Sequence, residues 1–306
     1  MLGWRRTTSK QAALITALRS EIMSLPEIEA STDSEAEAIW LNNRKELRVQ
    51  VLKDDPREFL TWDVVTGSMF VGNRLFVDSE LDYLMERQNW KTVWEQVIQE
   101  DPVGTPKRYN RDKRTSGNRI HTAYHLARFE TRTGLSVRES RLIVEFGGGY
   151  GSLCRRIHKL GFTGLYVIYD LPELAALQKF YLRSLSMPCI DANDISNLTG
   201  QLSGIFCTSD INVLRRMESH AAGMPLFIAT WSLSETTSSL RQEIISIPMI
   251  RSARAYLIAY QKYFEGIDNM DFFLRWCEQR PDIDWYVSEI SHMPGSHYLF
   301  GWGAVS

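Results

Sequence analysis

Cysteine is scarce in this chain: of 306 residues only Cys154, Cys189, Cys207 and Cys277 carry a thiol. They lie far apart and form no C-x-x-C pair, which speaks against a zinc ribbon and a disulfide framework; reduced, mostly buried thiols are expected. Long apolar runs are missing as well, and none approaches the ~20 residues of a membrane span. The opening Met1-Leu-Gly-Trp-Arg-Arg-Thr has basic residues but no apolar signal core after them, so a cytoplasmic location is expected. Neither sign of charge dominates: 35 Lys and Arg stand against 37 Asp and Glu, a formal net charge of -2. No broad attraction to nucleic-acid phosphates follows, and nucleic acid is not an expected partner. What remains, 44% hydrophobic and 24% charged residues, is ordinary for a soluble globular protein with a sizeable core. No internal repeat is visible.

The informative feature is the run Leu142-Ile-Val-Glu-Phe-Gly-Gly-Gly-Tyr-Gly151, an apolar strand that reaches an acidic residue and opens into a glycine-rich turn. A dinucleotide fingerprint asks for G-x-G-x-x-G. Counting from Gly147 or from Gly149 puts Ser152 or Cys154 where the third glycine belongs. The pattern present is E-x-G-x-G-x-G, with Glu145 beside Gly147, Gly148 and Gly149. A carboxylate there repels a pyrophosphate and welcomes an ammonium, such as the one on the methionine moiety of S-adenosylmethionine. The next strand, Leu165-Tyr-Val-Ile-Tyr-Asp-Leu-Pro172, ends in Asp170, whose carboxylate can accept hydrogen bonds from vicinal ribose hydroxyls. Leu171 follows it into the turn, and Pro172 with Glu173 makes a good first helical turn.

These residues resemble class I S-adenosylmethionine-dependent methyltransferases. Within that class the chain is similar to the bacterial sugar O-methyltransferases, through Val144-Glu-Phe-Gly-Gly-Gly-Tyr-Gly151, Asn118-Arg-Ile-His-Thr-Ala-Tyr-His125, Ala229-Thr-Trp-Ser-Leu-Ser-Glu235 and Pro294-Gly-Ser-His-Tyr298. The resemblance spans roughly residues 55 to 306. It implies an S-adenosylmethionine cofactor, a hydroxyl acceptor on a sugar or glycoside, and a site in which the helix near residue 120 covers the methyl group. The Asp-Leu-Pro turn also fits methylation of a polyketide or phenolic acceptor, and a catalytically silent cofactor-binding scaffold would keep the same turn.

The organisation expected is α/β: a Rossmann-like class I methyltransferase sheet, parallel with a terminal antiparallel hairpin, preceded by a mostly helical N-terminal region. Residues 1–137 form the helical cap or substrate region and 138–306 the cofactor-binding domain. Strands are expected at 141–146, 164–169, 225–231 and 255–261, with helices at 151–160, 172–185, 269–279 and from Ser234 to about Ile247. For the third strand, 187–190 and 204–208 both read as extended. The last pair, 285–290 and 298–302, flanks the turn Met293-Pro-Gly-Ser296. In the first half, 62–77 mixes β-branched and aromatic residues with glycine and suits a loop or short hairpin, and the basic 107–119 suits a mobile loop. Spare apolar faces on the amphipathic N-terminal helices would suit a homodimer.

Methyl transfer to a hydroxyl needs alignment of the oxygen and a base for its proton. On a helix starting near Asn118, His121 and His125 share one face; His121 is the first choice of base, and the pair lacks the glutamate that a zinc peptidase places after its first histidine. Glu235, beyond the fourth strand, can hold an acceptor hydroxyl, orient a histidine or act as base, and equally suits a helix start. Trp231 can stack on a sugar face or on adenine, and Asp210 can meet the adenine amino group or cap the helix that follows. His297 is a weaker candidate, and His158 reads as a surface residue. Asp191, Asp194 and Glu235 are the carboxylates a magnesium ion would recruit, but no dedicated metal cage is visible and none is expected.

Overall fold

The computed structural model describes residues 8–28, 35–191, 203–217 and 225–303. The N-terminal region is helical: α1 (Ser9–Ser24), α2 (Glu35–Lys53), α3 (Asp63–Ser68), α4 (Phe76–Met85), a π-helical turn at Trp90–Trp94 running into α5 (Glu95–Val97), and α6 (Gly117–Thr133). Thr8 and Gln11 begin α1 with a reciprocal capping box. Then come β1 (Leu142–Phe146), α7 (Ser152–Lys159), β2 (Leu165–Tyr169), α8 (Pro172–Ser184), β3 (Gly204–Thr208), α9 (Ile211–Arg216) and β4 (Leu226–Thr230). The chain continues through α10 (Ser238–Ser246), α11 (Pro248–Arg251), β5 (Ala255–Gln261), the small ribbon β6 (Tyr263–Phe264) and β7 (Ile267–Asp268), α12 (Asn269–Glu278), β8 (Ile283–Glu289) and β9 (Ser296–Gly303).

Seven strands form one sheet in the order β3-β2-β1-β4-β5-β9-β8. The first five are parallel, β9 runs antiparallel to β5, and β8 pairs antiparallel with β9. This is the parallel sheet with a terminal hairpin expected from the alternation of strand and helix signals. Both faces are covered, which is why the strand residues are apolar without alternation. Ile143, Tyr166, Ile168, Ile205 and Ile228 pack with the N-terminal helices and α6 to α8. Val144, Val167, Phe206, Phe227 and Ile258 point the other way, into a core shared with α9 to α12.

Where expectation and structure differ, burial explains it. Residues 62–77 hold no hairpin: Val64 and Val65 sit buried in α3, and tertiary contact overrides their β-preference. Of the 107–119 segment, 107–116 is irregular but pinned, because the Tyr109 hydroxyl donates to Asp78 Oδ1 at 2.6 Å and Arg111 reaches Asp82 at 2.7 Å, and 117–119 already belong to α6. Of the two candidates for the third strand, 204–208 is the sheet member, and 187–190 adds a single bridge from Cys189 to Ile205. The helix expected from Ser234 starts later: Ser232–Glu235 is a 3-10 turn, and Thr237 caps α10.

A buried ionic cluster ties the first half of the chain to the sheet. Arg119 on α6 reaches Glu100 Oε1 at 2.6 Å and Asp101 Oδ2 at 3.3 Å, and Asp101 also meets Arg155 at 2.9 Å and Arg156 at 2.7 Å, both from α7. Desolvation opposes the Asp101 charge, but the surrounding cations win and hold its carboxyl far below the usual range.

Candidate functional site

Parallel strands deliver their carboxyl ends to one edge, and the strand order reverses between β1 and β4, the place where open α/β sheets bind ligands. A cavity of about 780 Å³ lies there, walled by the ends of β1, β2 and β4, by α6, and by α2 and the 66–76 segment. His121, His125, Glu145, Gly147, Gly148, Gly149, Asp170, Leu171, Trp231 and Glu235, scattered over more than a hundred positions, all line it.

At one end sits the glycine turn. Gly147 has φ +72° and its N–H donates to the Tyr169 carbonyl at 2.9 Å, fixing the turn to the end of β2. Glu145 is 2% exposed, and the Tyr166 hydroxyl donates to its Oε2 at 2.9 Å. Burial dominates that hydrogen bond and pushes the Glu145 carboxyl up to about 8, helped by the neighbouring Asp170. Asp170 accepts from the N–H groups of Gly149 (3.1 Å) and Leu171 (2.8 Å) and from Gln178 Nε2 (2.8 Å). Burial still raises it to about 7. A standing negative charge at Glu145 is expected from its place beside the turn; in its buried surroundings the carboxyl is held toward its protonated form.

At the other end α6 presents its histidines. Ser116 caps the helix by accepting from the Arg119 N–H, and the i, i+4 spacing brings His121 and His125 edge to face with 3.1 Å between their Nε2 atoms. His121 Nδ1 lies 2.7 Å from Glu80 Oε1, and His125 Nδ1 lies 2.5 Å from the Tyr298 hydroxyl. His292, from the turn before β9, places its Nε2 3.0 Å from the same Glu80 oxygen. The Trp231 indole leans over both imidazoles, with ring centroids 5.5 Å from His121 and 5.3 Å from His125. Burial, with His121 adding to it, drives the His125 imidazole well below its ordinary value and keeps it neutral.

Trp231 occupies φ +66°, rare for an aromatic residue and costing of order 1–3 kcal/mol. Neighbours over-determine it: its N–H donates to the Ala259 carbonyl at 2.7 Å, and its own carbonyl accepts from the Ser234 N–H (3.0 Å) and Oγ (2.7 Å). Arg241, buried on α10, donates to the carbonyls of Ser234 and Thr236 and to Asn269 Oδ1, so the whole loop is braced from behind. Glu235 accepts from Gln261 Nε2 at 3.1 Å, and burial raises its carboxyl.

Other sequence candidates fall elsewhere. Asp210 does not line the cavity; it is exposed and caps α9, accepting from the Asn212 N–H at 2.9 Å. His297 stacks on Tyr260 away from the cavity. His158 is half-buried, with Nδ1 2.8 Å from the Cys154 carbonyl and its ring against Phe162, so the surface assignment is corrected. Asp191 pairs with Arg183 at the surface, and Asp194 lies outside the described residues. Among the described residues no group of three or more His, Cys, Asp or Glu is arranged to hold a metal ion.

Glu80, His292 and Tyr298 were missed as site residues. Glu80 had a legible signal: it lies on the apolar stripe of α4 with Val77, Leu81 and Leu84 and is fully buried, and carboxylates are almost never buried unless paired.

No family model matches the sequence, and no curated protein matches it. Solved structures do overlay loosely. The magnesium protoporphyrin IX methyltransferase of Synechocystis PCC 6803 is 12% identical over 61% of this chain and 84% of its own, with a TM-score of 0.38. The glycopeptide N-methyltransferase MtfA is 12% identical over 60% of this chain and 90% of its own, at 0.37. The methyltransferase domain of bacterial CtHen1 is 8% identical over 60% and 97%, at 0.40. Overlaps this loose carry nothing about chemistry, which has to be read from the side chains.

Proposed function

We propose that this protein is an S-adenosylmethionine-dependent O-methyltransferase acting on a hydroxyl of a sugar or glycoside. One observation carries the reading: the buried carboxyls of Glu145 and Asp170 beside a glycine turn share a single cavity with the His121–His125 pair.

The residues suit the cofactor. Two carboxyls held near protonation by burial gain most from a ligand that brings positive charge, and the arginines among the described lining residues are Arg44 and Arg74 alone. Arg44 is committed to Glu173 at 2.7 Å, so a polyphosphate finds little counter-charge there. Glu145 would hold the ammonium, Asp170 with its remaining lone pairs the ribose hydroxyls, and the backbone of Gly147 to Gly149 the close approach. The group supplies the electrophilic methyl when bound. The chain supplies alignment and proton removal: Trp231 and Trp40 offer flat faces to a sugar ring, Glu235 a hydrogen-bond acceptor, and His121 the basic nitrogen. The same aromatic walls admit a flat phenolic acceptor, and methyl transfer to a panel of sugars, glycosides and phenols separates these acceptors.

Two outcomes are expected. Because a cation binds the ionised form of Glu145, S-adenosylhomocysteine, through its ammonium, binds more tightly as pH rises, by up to ~10-fold per unit between about 6 and 8, then levels off. Calorimetric titrations across pH check this; Glu145→Gln removes most of the dependence and weakens binding. The same substitution raises the melting temperature of the unliganded protein. An acid whose native pKa is raised penalises the folded state increasingly as pH climbs past its unfolded value. A flat pH profile in the wild type counts against the electrostatic assignment.

His121→Ala is expected to lose turnover by ~100-fold or more with S-adenosylhomocysteine affinity little changed. Labelled-methyl transfer to whichever panel member is accepted measures it. Unimpaired turnover removes His121 as base, and absence of turnover in the wild type on every acceptor favours a silent cofactor-binding scaffold.

A further inference from the structure

We infer that Glu80 is the positioning residue of the site: its carboxylate fixes the tautomer of His121 so that Nε2 carries the lone pair, and it serves as counter-ion once His121 takes the acceptor's proton. The inference deepens the methyltransferase reading and rests on it.

The direction of the hydrogen-bond chain follows from its ends. Desolvation opposes the Glu80 charge, but the His121 and His292 imidazoles beside it together win and hold the carboxyl below its usual range, and an ionised carboxylate can only accept. A neutral His121 must therefore donate from Nδ1 across the 2.7 Å contact, and in that form its Nε2 carries the lone pair. The 3.1 Å contact between the two Nε2 atoms then requires His125 to donate. His125 Nδ1 consequently accepts from the Tyr298 hydroxyl at 2.5 Å. Each donor has one acceptor and no proton is duplicated.

When the acceptor hydroxyl replaces the His125 N–H at that lone pair, its proton passes to His121 Nε2 and the O–H electron pair stays on the oxygen. The imidazolium then faces Glu80 through Nδ1. His125, kept neutral by burial, does not compete for the proton. Phe76 packs against His121 and stacks on His292, with centroids at 5.6 and 6.1 Å, which excludes water from the carboxylate. Glu80 Oε2 is buried without a partner among the described residues. A carboxylate there for packing alone would leave that oxygen an uncompensated cost.

The test is spectroscopic and needs no acceptor. Long-range nitrogen–proton correlation on the full chain with isotope-labelled histidine, at mildly alkaline pH, reads which ring nitrogen carries the proton, and His121→Gln assigns the resonance. The wild type is expected to show His121 protonated on Nδ1 alone. Glu80→Gln, whose amide can donate or accept, is expected to give a mixture of tautomers while S-adenosylhomocysteine still binds. Tyr298→Phe is expected to leave His121 unchanged and release His125 from its single tautomer. A wild-type His121 protonated on Nε2, or a Glu80→Gln spectrum identical to the wild type, overturns the inference; if Glu80→Gln fails to fold, the wild-type and Tyr298→Phe spectra decide alone. A wild type with the expected tautomer that does not bind S-adenosylhomocysteine instead removes the methyltransferase reading, and with it the role of His121 as base.

Discussion

Asp101→Asn is expected to destabilise the folded protein by about 3–5 kcal/mol, the cost of leaving buried charges without their partner. Arg119 and Arg156 are fully buried, Arg155 is mostly so, and all three point at the Asp101 carboxylate. Glu100 remains after the substitution, but it is already engaged by Arg119 at 2.6 Å. An amide keeps the shape and loses the charge, so the loss reports electrostatics and not a cavity. Urea titration followed by tryptophan fluorescence measures it. The pH dependence follows from the depressed native pKa: the contribution is complete above the unfolded carboxyl's value near 4 and is lost as pH falls toward the native one. The variant should accordingly show a shallower acid limb than the wild type. A midpoint change equivalent to less than about 1 kcal/mol would show that the cluster behaves as a solvated surface group.

The second large effect is on the cofactor. Gly147→Val is expected to leave no measurable S-adenosylhomocysteine binding by calorimetry. A Cβ at this position would sit 2.2 Å from Ser232 Cβ, and the backbone there has φ +72°, which a β-branched residue resists. Both faults fall on the turn between β1 and α7, which packs against Ser232 in the loop after β4, so the turn must shift and the cavity wall with it. The N-terminal helices and the β8–β9 hairpin pack elsewhere and should keep the far-ultraviolet spectrum nearly unchanged. Undiminished binding by a folded Gly147→Val protein would falsify the placement of the cofactor on this turn.

The two halves of the site were unequally legible. The glycine-turn end is local: Glu145 to Gly149 are contiguous, and Asp170 ends the next strand, so strand pattern and turn chemistry were enough to bring them together. The histidine end is assembled from α4, α6, the loop after β4 and the terminal hairpin, more than two hundred positions apart from Glu80 to Tyr298. His121 and His125 announced themselves by their spacing on one helix. Glu80 stands on α4 among the acids Asp78 and Asp82, and only its place on the apolar stripe with Val77, Leu81 and Leu84 sets it apart. His292 and Tyr298 gave no local sign, because neither helix period nor turn signal says what a hairpin end will touch.

By itself the sequence determined the first two strands and the strand–helix alternation that follows them, the terminal hairpin, the glycine turn, the acid near the end of each of the first two strands, and the shared face of the two histidines. These are short-range properties, set by apolar periodicity and by the backbone freedom of glycine. Tertiary structure alone decided that Asp210 caps a helix outside the cavity, that Trp231 is held at a strained angle over the imidazoles, and that burial lifts Glu145 and Asp170 toward neutrality while Asp101 is pulled the opposite way. Solvation and the company of other charges depend on which distant residues close over a group, and a sequence window contains neither.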